Sequence, residues 1–237
     1  MNPIVQNILA TIAAFAASLS WLRLNDYLAH KGWLESRTSR KIIHIGTGPI
    51  YILCWLFFTH DPYVRFLAAL VPLLITIQFA LVGFGMIKDD AAVQAMSRTG
   101  DPREILRGPL YYGVVFVVLT IIFWLDTPVG IIALALLCGG DGLAEIFGRK
   151  WGRTKLFWNQ GKSWLGSAGF FFGGLISILL ILAVYQAAGV FPGFIRARLL
   201  AIVVITFAAT LIESISPHDW DNLTVPAISV LLGLLLF

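Results

Sequence analysis

Eight apolar runs, at residues 4–22, 42–58, 66–87, 109–125, 128–143, 165–187, 199–215 and 223–237, take up well over half of the 237 residues. Each approaches the roughly 20 apolar residues that cross a bilayer as a helix. None alternates polar and apolar residues in the manner of a barrel strand. Lipid offers the backbone no hydrogen-bond partner, so runs of this kind are expected to satisfy their own N–H and C=O groups as α-helices. The expected fold is all-α: a polytopic transmembrane helix bundle of about 7–8 spans. The links between runs are too short for an independent extramembrane domain, so residues 1–237 are read as one integral membrane domain.

Composition supports that class and excludes others. Only 13% of residues are charged, against about 25% in soluble domains. Both cysteines, Cys54 and Cys138, lie inside apolar runs, which suits packing and not a disulfide framework or a cysteine-rich metal site. The net charge of +4 is better explained by membrane topology and phosphate contacts than by nucleic acid, which is not an expected partner. Met1 to Asn7 carry no positive charge ahead of the first run and lack the Arg/Ser richness of a transit peptide. The first span is therefore expected to be retained, in a bacterial plasma membrane or a thylakoid membrane.

The cations sort by side. Fourteen of the 17 Lys and Arg residues fall in the links 23–41, 88–108 and 144–164, and all but Asp61 and Asp126 of the 13 acidic residues lie on that same side. Short cytoplasmic loops carry such an excess, so this face is predicted to be cytoplasmic and to carry the chemistry. The last link on it has no Lys or Arg but contributes Glu213, His218, Asp219, Asp221 and Asn222. Carboxylates set among cations suit a metal and a polyphosphate.

The densest segment is Gly139-Gly140-Asp141-Gly142-Leu143-Ala144-Glu145-Ile146-Phe147-Gly148-Arg149-Lys150-Trp151-Gly152, continuing through Lys155 to Gly161-Lys162-Ser163-Trp164-Leu165-Gly166-Ser167. Glycines permit close approach of backbone to phosphate oxygens, and Arg149, Arg153, Lys155 and Lys162 supply charge-assisted contacts to them. A phosphate cradle is one reading. Helix packing through small residues is the other, and it accounts for Gly169, Gly173 and Ser177 at four-residue spacing. Gly161-Lys162-Ser163 imitates the end of a P-loop, but Leu156 stands where its first glycine belongs.

Asp141 and Glu145 share one helical face, as a carboxylate pair able to hold Mg²⁺ together with waters and substrate phosphates; a Glu145–Arg149 surface pair is the alternative. In Arg40-Lys41-Ile42-Ile43-His44, two cations open a span and His44 lies a turn deeper, either as a phosphate or proton contact or as a satisfied buried histidine. Arg103 and Arg107 are one turn apart in the link 88–108 and serve equally as topology charges. Asn222 is a nucleotide contact or a helix cap.

Taken together, Arg40-Lys41-x-x-His44, Glu104-x-x-Arg107-Gly108-Pro109, Gly140-Asp141-Gly142-x-Ala144-x-x-x-Gly148-Arg149-x-x-Gly152-x-x-Lys155, Lys162-Ser163-x-x-Gly166-Ser167, Glu213 and Asp221-Asn222-x-Thr224 resemble the CTP-dependent polyprenol kinases, the family of phytol, farnesol and dolichol kinases. The resemblance spans most of the chain. It implies transfer of the γ-phosphoryl group of CTP to a long isoprenoid alcohol drawn from the bilayer, phytol foremost, to give phytyl phosphate for tocopherol synthesis. It further implies Mg²⁺ on Asp141, with Glu145, Glu213 or Asp221, and Asp141, His44 and Lys162 as catalytic residues. Arg40, Lys41, Arg107, Gly140, Gly142, Gly148, Arg149, Gly152, Lys155, Ser163, Gly166, Ser167 and Asn222 are the implied nucleotide and phosphate contacts. The choice of CTP as donor comes from the resemblance alone. Other readings are a phosphatidate cytidylyltransferase or diacylglycerol kinase using CTP and, in another class, a transporter, for which the chain shows neither an inverted repeat nor many mid-membrane charges.

Overall fold

A computed structural model describes residues 2–217 and 219–237; His218, counted above in the last link, lies outside the described residues. Among them there is no β-strand, only an isolated antiparallel bridge between Lys155 and Ser163. The chain divides into two compact units, Met1–Leu125 and Asp126–Phe237.

The first unit holds α1 (Pro3–His30), α2 (Ser36–Cys54), α3 (Val64–Gly83), the short α4 (Asp90–Met96) and α5 (Gly108–Phe123). Asn2 starts α1 by accepting from the Ile4 N–H at 2.9 Å, with Pro3 in the first turn, where its missing donor costs nothing. The helix then runs about two turns past the apolar stretch 4–22, because Asn25 and Asp26 are buried on its inner face and Asp26 pairs with Arg23. Helices α1 and α2 pack together, as do α3 and α5. At their closest points Gly46 lies under the Trp21 ring and Gly113 under Thr76, positions that leave no room for a Cβ.

The second unit is built on α6 (Val129–Ala135), a π-helical turn (Leu136–Gly140) and α7 (Asp141–Trp151), which run on without a break. The predicted span 128–143 thus extends to Trp151. The helix absorbs the paired glycines Gly139 and Gly140 in a π turn, a feature frequent at functional sites. Around it pack α8 (Trp164–Ala187), α9 (Phe194–Ile215) and α10 (Asp221–Leu236). Residues Val129 to Gly142 are buried throughout. The outer surface is the reverse: Phe172, Ile176, Leu180 and Val184 on α8, and Leu200, Val204, Phe207, Leu211 and Ile215 on α9, are all exposed. Apolar stripes of that extent are solvated by lipid, not water.

The all-α polytopic architecture is therefore as expected, and six helices are both long and apolar enough to cross a membrane, α5 being counted together with the 3₁₀ turn (Pro102–Leu106) that leads into it. Two expected spans are helical but fall outside that group. Helix α2 begins with Arg37, Arg40 and Lys41, which lower its hydropathy, and α10 has only 16 residues, about 24 Å at 1.5 Å per residue against a hydrocarbon core of about 30 Å.

Candidate active site

Four of the sequence-nominated residues of the second unit converge at one end of it. Asp141 opens α7 immediately after the π turn, Glu213 lies in the last turn of α9, Asp221 opens α10, and Lys162 comes from the loop between α7 and α8. That loop is folded on itself: Leu156 donates to the Lys162 carbonyl at 3.1 Å, Lys162 to the Asn159 carbonyl at 3.0 Å, and Trp164 to the Thr154 carbonyl at 3.2 Å. Fully buried Leu156 anchors it. Two further bonds tie it to α9, from Trp158 Nε1 to Ser214 Oγ at 3.2 Å and from Asn159 Nδ2 to the Ser214 carbonyl at 3.1 Å. Neither residue was nominated from the sequence, although Asn159-Gln160-Gly161 is legible as a turn, closed here by the Gly161 N–H on Asn159 Oδ1.

So held, the Lys162 ammonium donates to Glu213 Oε1 at 2.6 Å, to Asp221 Oδ2 at 3.2 Å and to the Glu213 main-chain carbonyl. An ammonium has three N–H donors, and all three have partners. Burial alone would pull the Lys162 pKa down, but Glu213 and Asp221, and more weakly Asp141, outweigh it and hold the group above the usual lysine value. Lys162, expected as a catalytic residue and a phosphate contact, bridges two buried carboxylates.

The cluster still has unmet acceptors. Glu213 Oε2 and Asn222 Oδ1 are buried without a hydrogen-bond partner, on side chains whose residues are only 5% and 6% exposed. Asn222 is fixed by donating from Nδ2 to the Asp219 carbonyl at 3.2 Å, so its oxygen is left over. It does not act as the helix cap that the sequence allowed: α10 has no side-chain cap bond.

The glycines and serines of the expected cradle have other employment. A Cβ on Gly140 would meet the Phe170 ring, on Gly148 it would meet Ser163 and Gly166, on Gly152 Ser163 and the Gly148 carbonyl, and on Gly166 the Ala144 carbonyl. These positions, like Gly169 and Gly173, form the seam along which α7 packs against α8; the packing explanation given for span six extends to them. Gly142 is buried on α7. Ser163 caps α8, accepting from the Gly166 N–H at 3.1 Å, which leaves its O–H as a donor. Ser167 keeps a buried hydroxyl without a partner.

Arg149 and Lys155 are exposed, the first on the last turns of α7 and the second at the loop's bridge, while Glu145 is half-buried on α7. Phe157, Trp158 and Trp164 pack edge to face on the same loop, with centroids 4.3 and 5.5 Å apart, and remain exposed. Half-apolar rings of this kind settle at the boundary between lipid and water, the level at which a membrane alcohol presents its hydroxyl.

The remaining nominated residues belong to the first unit. Lys41 is buried, Arg40 half-buried and Arg107 exposed. The His44 ring lies against Tyr112 with centroids 4.2 Å apart, and Tyr112 donates its hydroxyl to the His44 carbonyl at 2.9 Å. Glu104 is structural: it accepts from the Arg98 and Thr99 N–H groups and from the Thr99 hydroxyl, tying the link 97–104. A cavity of about 470 Å³ beside α4 is lined by Asp90, Gln94, Arg98 and Gly100 among others and contains none of the nominated residues.

Fold and site together define a polytopic helical membrane protein with a carboxylate–ammonium cluster at one end of its second unit. The chain is 37% identical over 96% of its length to a probable chloroplastic phytol kinase 1 of Oryza sativa subsp. japonica, covering 73% of that protein. It is 40% identical over 93% of its length to a probable phytol kinase 2 of the same plant, covering 73%, and 31% identical over its whole length to phytol kinase 1 of Arabidopsis thaliana, covering 78%. No family model and no solved structure matches. The chain belongs to the phytol kinase family.

Proposed function

We propose that the chain transfers the γ-phosphoryl group of CTP to the hydroxyl of phytol, giving phytyl phosphate and CDP. The bond from the γ-phosphorus to the β,γ-bridging oxygen breaks, a new P–O bond forms to the alcohol oxygen, and the alcohol loses its proton. Phosphoryl transfer asks a protein mainly for positioning and charge neutralisation. The observation that carries this reading is the cluster of Asp141, Lys162, Glu213 and Asp221, held by packed helices beside an aromatic, lipid-level loop in a chain whose relatives are named phytol kinases.

Mg²⁺ fits the residues present. Among the described residues no three His, Cys, Asp or Glu side chains form a group able to hold a metal by themselves. Mg²⁺ seldom needs one, because it usually takes one or two carboxylates, several waters and the substrate's own phosphates. The orphaned Glu213 Oε2 supplies an oxygen of the right kind, and Asp141 and Asp221 are the neighbouring carboxylates. Bound there, the ion would neutralise charge on the transferring phosphoryl group. In this reading Asp141 takes the alcohol's proton, and Lys155 and Arg149, both exposed, contact the outer phosphates. Product phytyl phosphate leads towards tocopherol. The relatives' chloroplastic names favour a photosynthetic membrane over the bacterial plasma membrane expected from the N-terminus, with the Lys/Arg-rich face towards the nucleotide.

The test is transfer from [γ-³²P]CTP to phytol by detergent-purified protein, with and without Mg²⁺, beside the Asp141→Asn variant and with ATP and UTP as competing donors. Labelled phytyl phosphate that requires both metal and Asp141 is the expected result. Release of pyrophosphate in place of CDP would make the enzyme a cytidylyltransferase, and full activity in a normally inserted Asp141→Asn variant would remove Asp141 from the mechanism.

A further inference from the structure

Lys162, Glu213 and Asp221 carry one positive and two negative charges in a buried setting. The ammonium has no donor left, yet Glu213 Oε2, on the far oxygen of the same carboxylate, and Asn222 Oδ1, on the residue next to Asp221, are buried acceptors without partners. The deficit is specifically one of positive charge and donors, not of acceptors. A buried carboxylate oxygen is costly to leave unmet, and oxygens of these two types are the ligands a divalent cation takes.

We propose that Lys162 is a resident counter-ion that competes with a divalent cation for Glu213 and Asp221, and that Asn222 ligates that cation instead of contacting the nucleotide base or phosphate. The lysine keeps two like-charged side chains together, and it is freed for a phosphate only when the cation takes over its carboxylates. That order follows from counting donors: an ammonium already making three bonds must give up one to accept a fourth partner. The proposal deepens the kinase reading and relies on it only for the arrival of a phosphate-bearing ligand.

The experiment uses Mn²⁺ alone, without nucleotide or alcohol, so that its outcome is separate from whether the chain is a kinase. Binding of Mn²⁺ to detergent-solubilised full-length protein is read from the electron paramagnetic resonance of the free ion, for the parent chain and for Lys162→Met, Asn222→Asp and Lys162→Met/Asn222→Ala. Removal of the competing ammonium is expected to tighten Mn²⁺ binding by about tenfold or more, since one fewer positive charge opposes it at close range. Asn222→Asp should also tighten binding in the parent background, and Asn222→Ala should reverse the gain made by Lys162→Met. A purely structural Lys162 would leave Mn²⁺ affinity unchanged or weaken it, and that result overturns the proposal. Should Lys162→Met not fold, Asn222→Asp decides alone: unchanged affinity there removes Asn222 and the site with it.

Discussion

The two units leave different kinds of buried polar atom unpaired. In the first unit, among the described residues, these are Ser18 Oγ, Thr47 Oγ1 and the indole N–H groups of Trp21, Trp55 and Trp124, all on neutral side chains. Two of its carboxylates share a cation: Arg23 reaches both Asp26 at 3.5 Å and Asp89 at 3.1 Å. In the second unit the unpaired atoms are the Ser167 hydroxyl, a carboxylate oxygen of Glu213 and an amide oxygen of Asn222. An unmet neutral hydroxyl or indole costs about 1–3 kcal/mol and an unmet charged group costs more. A fold absorbs the first kind as ordinary packing imperfection; the second kind, here Glu213 Oε2, is the more costly to leave and is where the proposed cation would bind. The contrast separates scaffold from site without reference to any motif.

The sharpest way to break the comparison is to remove the charge that keeps the second cluster together. Lys162→Ala takes the ammonium away from buried Glu213 and Asp221 and is expected to lower the unfolding free energy by about 3–5 kcal/mol, measured by thermal unfolding in detergent. The same pair gives a pH signature. The ammonium's pKa is raised in the fold, so its contribution is complete below the ordinary lysine value of 10.5 and is lost as pH rises through the higher folded value. The parent chain should therefore lose stability above about pH 10.5 through a component that Lys162→Ala lacks; identical alkaline profiles would show that the pair contributes nothing.

A smaller effect is expected at the helix seam. Gly139→Val places a side chain where Ser177 and the Gly173 carbonyl already stand, and overpacking of that kind costs about 1–3 kcal/mol. A stability unchanged by this substitution would mean that the contact of the π turn with α8 is looser than the geometry shows. The smallest effect belongs to the first unit, where the Tyr51 hydroxyl lies 3.1 Å from the Ala68 carbonyl and 3.1 Å from Thr120 Oγ1. Tyr51→Phe should cost about 0.5–1.5 kcal/mol, measured by thermal unfolding at neutral pH. A loss as large as that of Lys162→Ala would erase the distinction between the two units.

Much of this molecule was written locally. Apolar runs of bilayer length determined the helices, since a chain in lipid has no other way to satisfy its backbone. Asp141, Lys162, Glu213 and Asp221 were legible as candidates because charged residues at the end of apolar runs are conspicuous. Helix lengths were less legible: the polar end of α1 continues its helix because tertiary partners cover Asn25 and Asp26, which no hydropathy window detects.

What each candidate does was decided by the tertiary structure. Lys162 meets Glu213 and Asp221 across 51 and 59 residues of chain, and only that meeting uses up its three donors. Glycine has no side chain to declare a purpose, so whether Gly140, Gly148 and Gly166 face phosphate or a neighbouring helix depends on what lies opposite, here Phe170, Ser163 and Ala144. Composition and periodicity report how a residue relates to solvent and to its own helix. Valence, the count of donors against acceptors at one point in space, is set only when distant segments close around it.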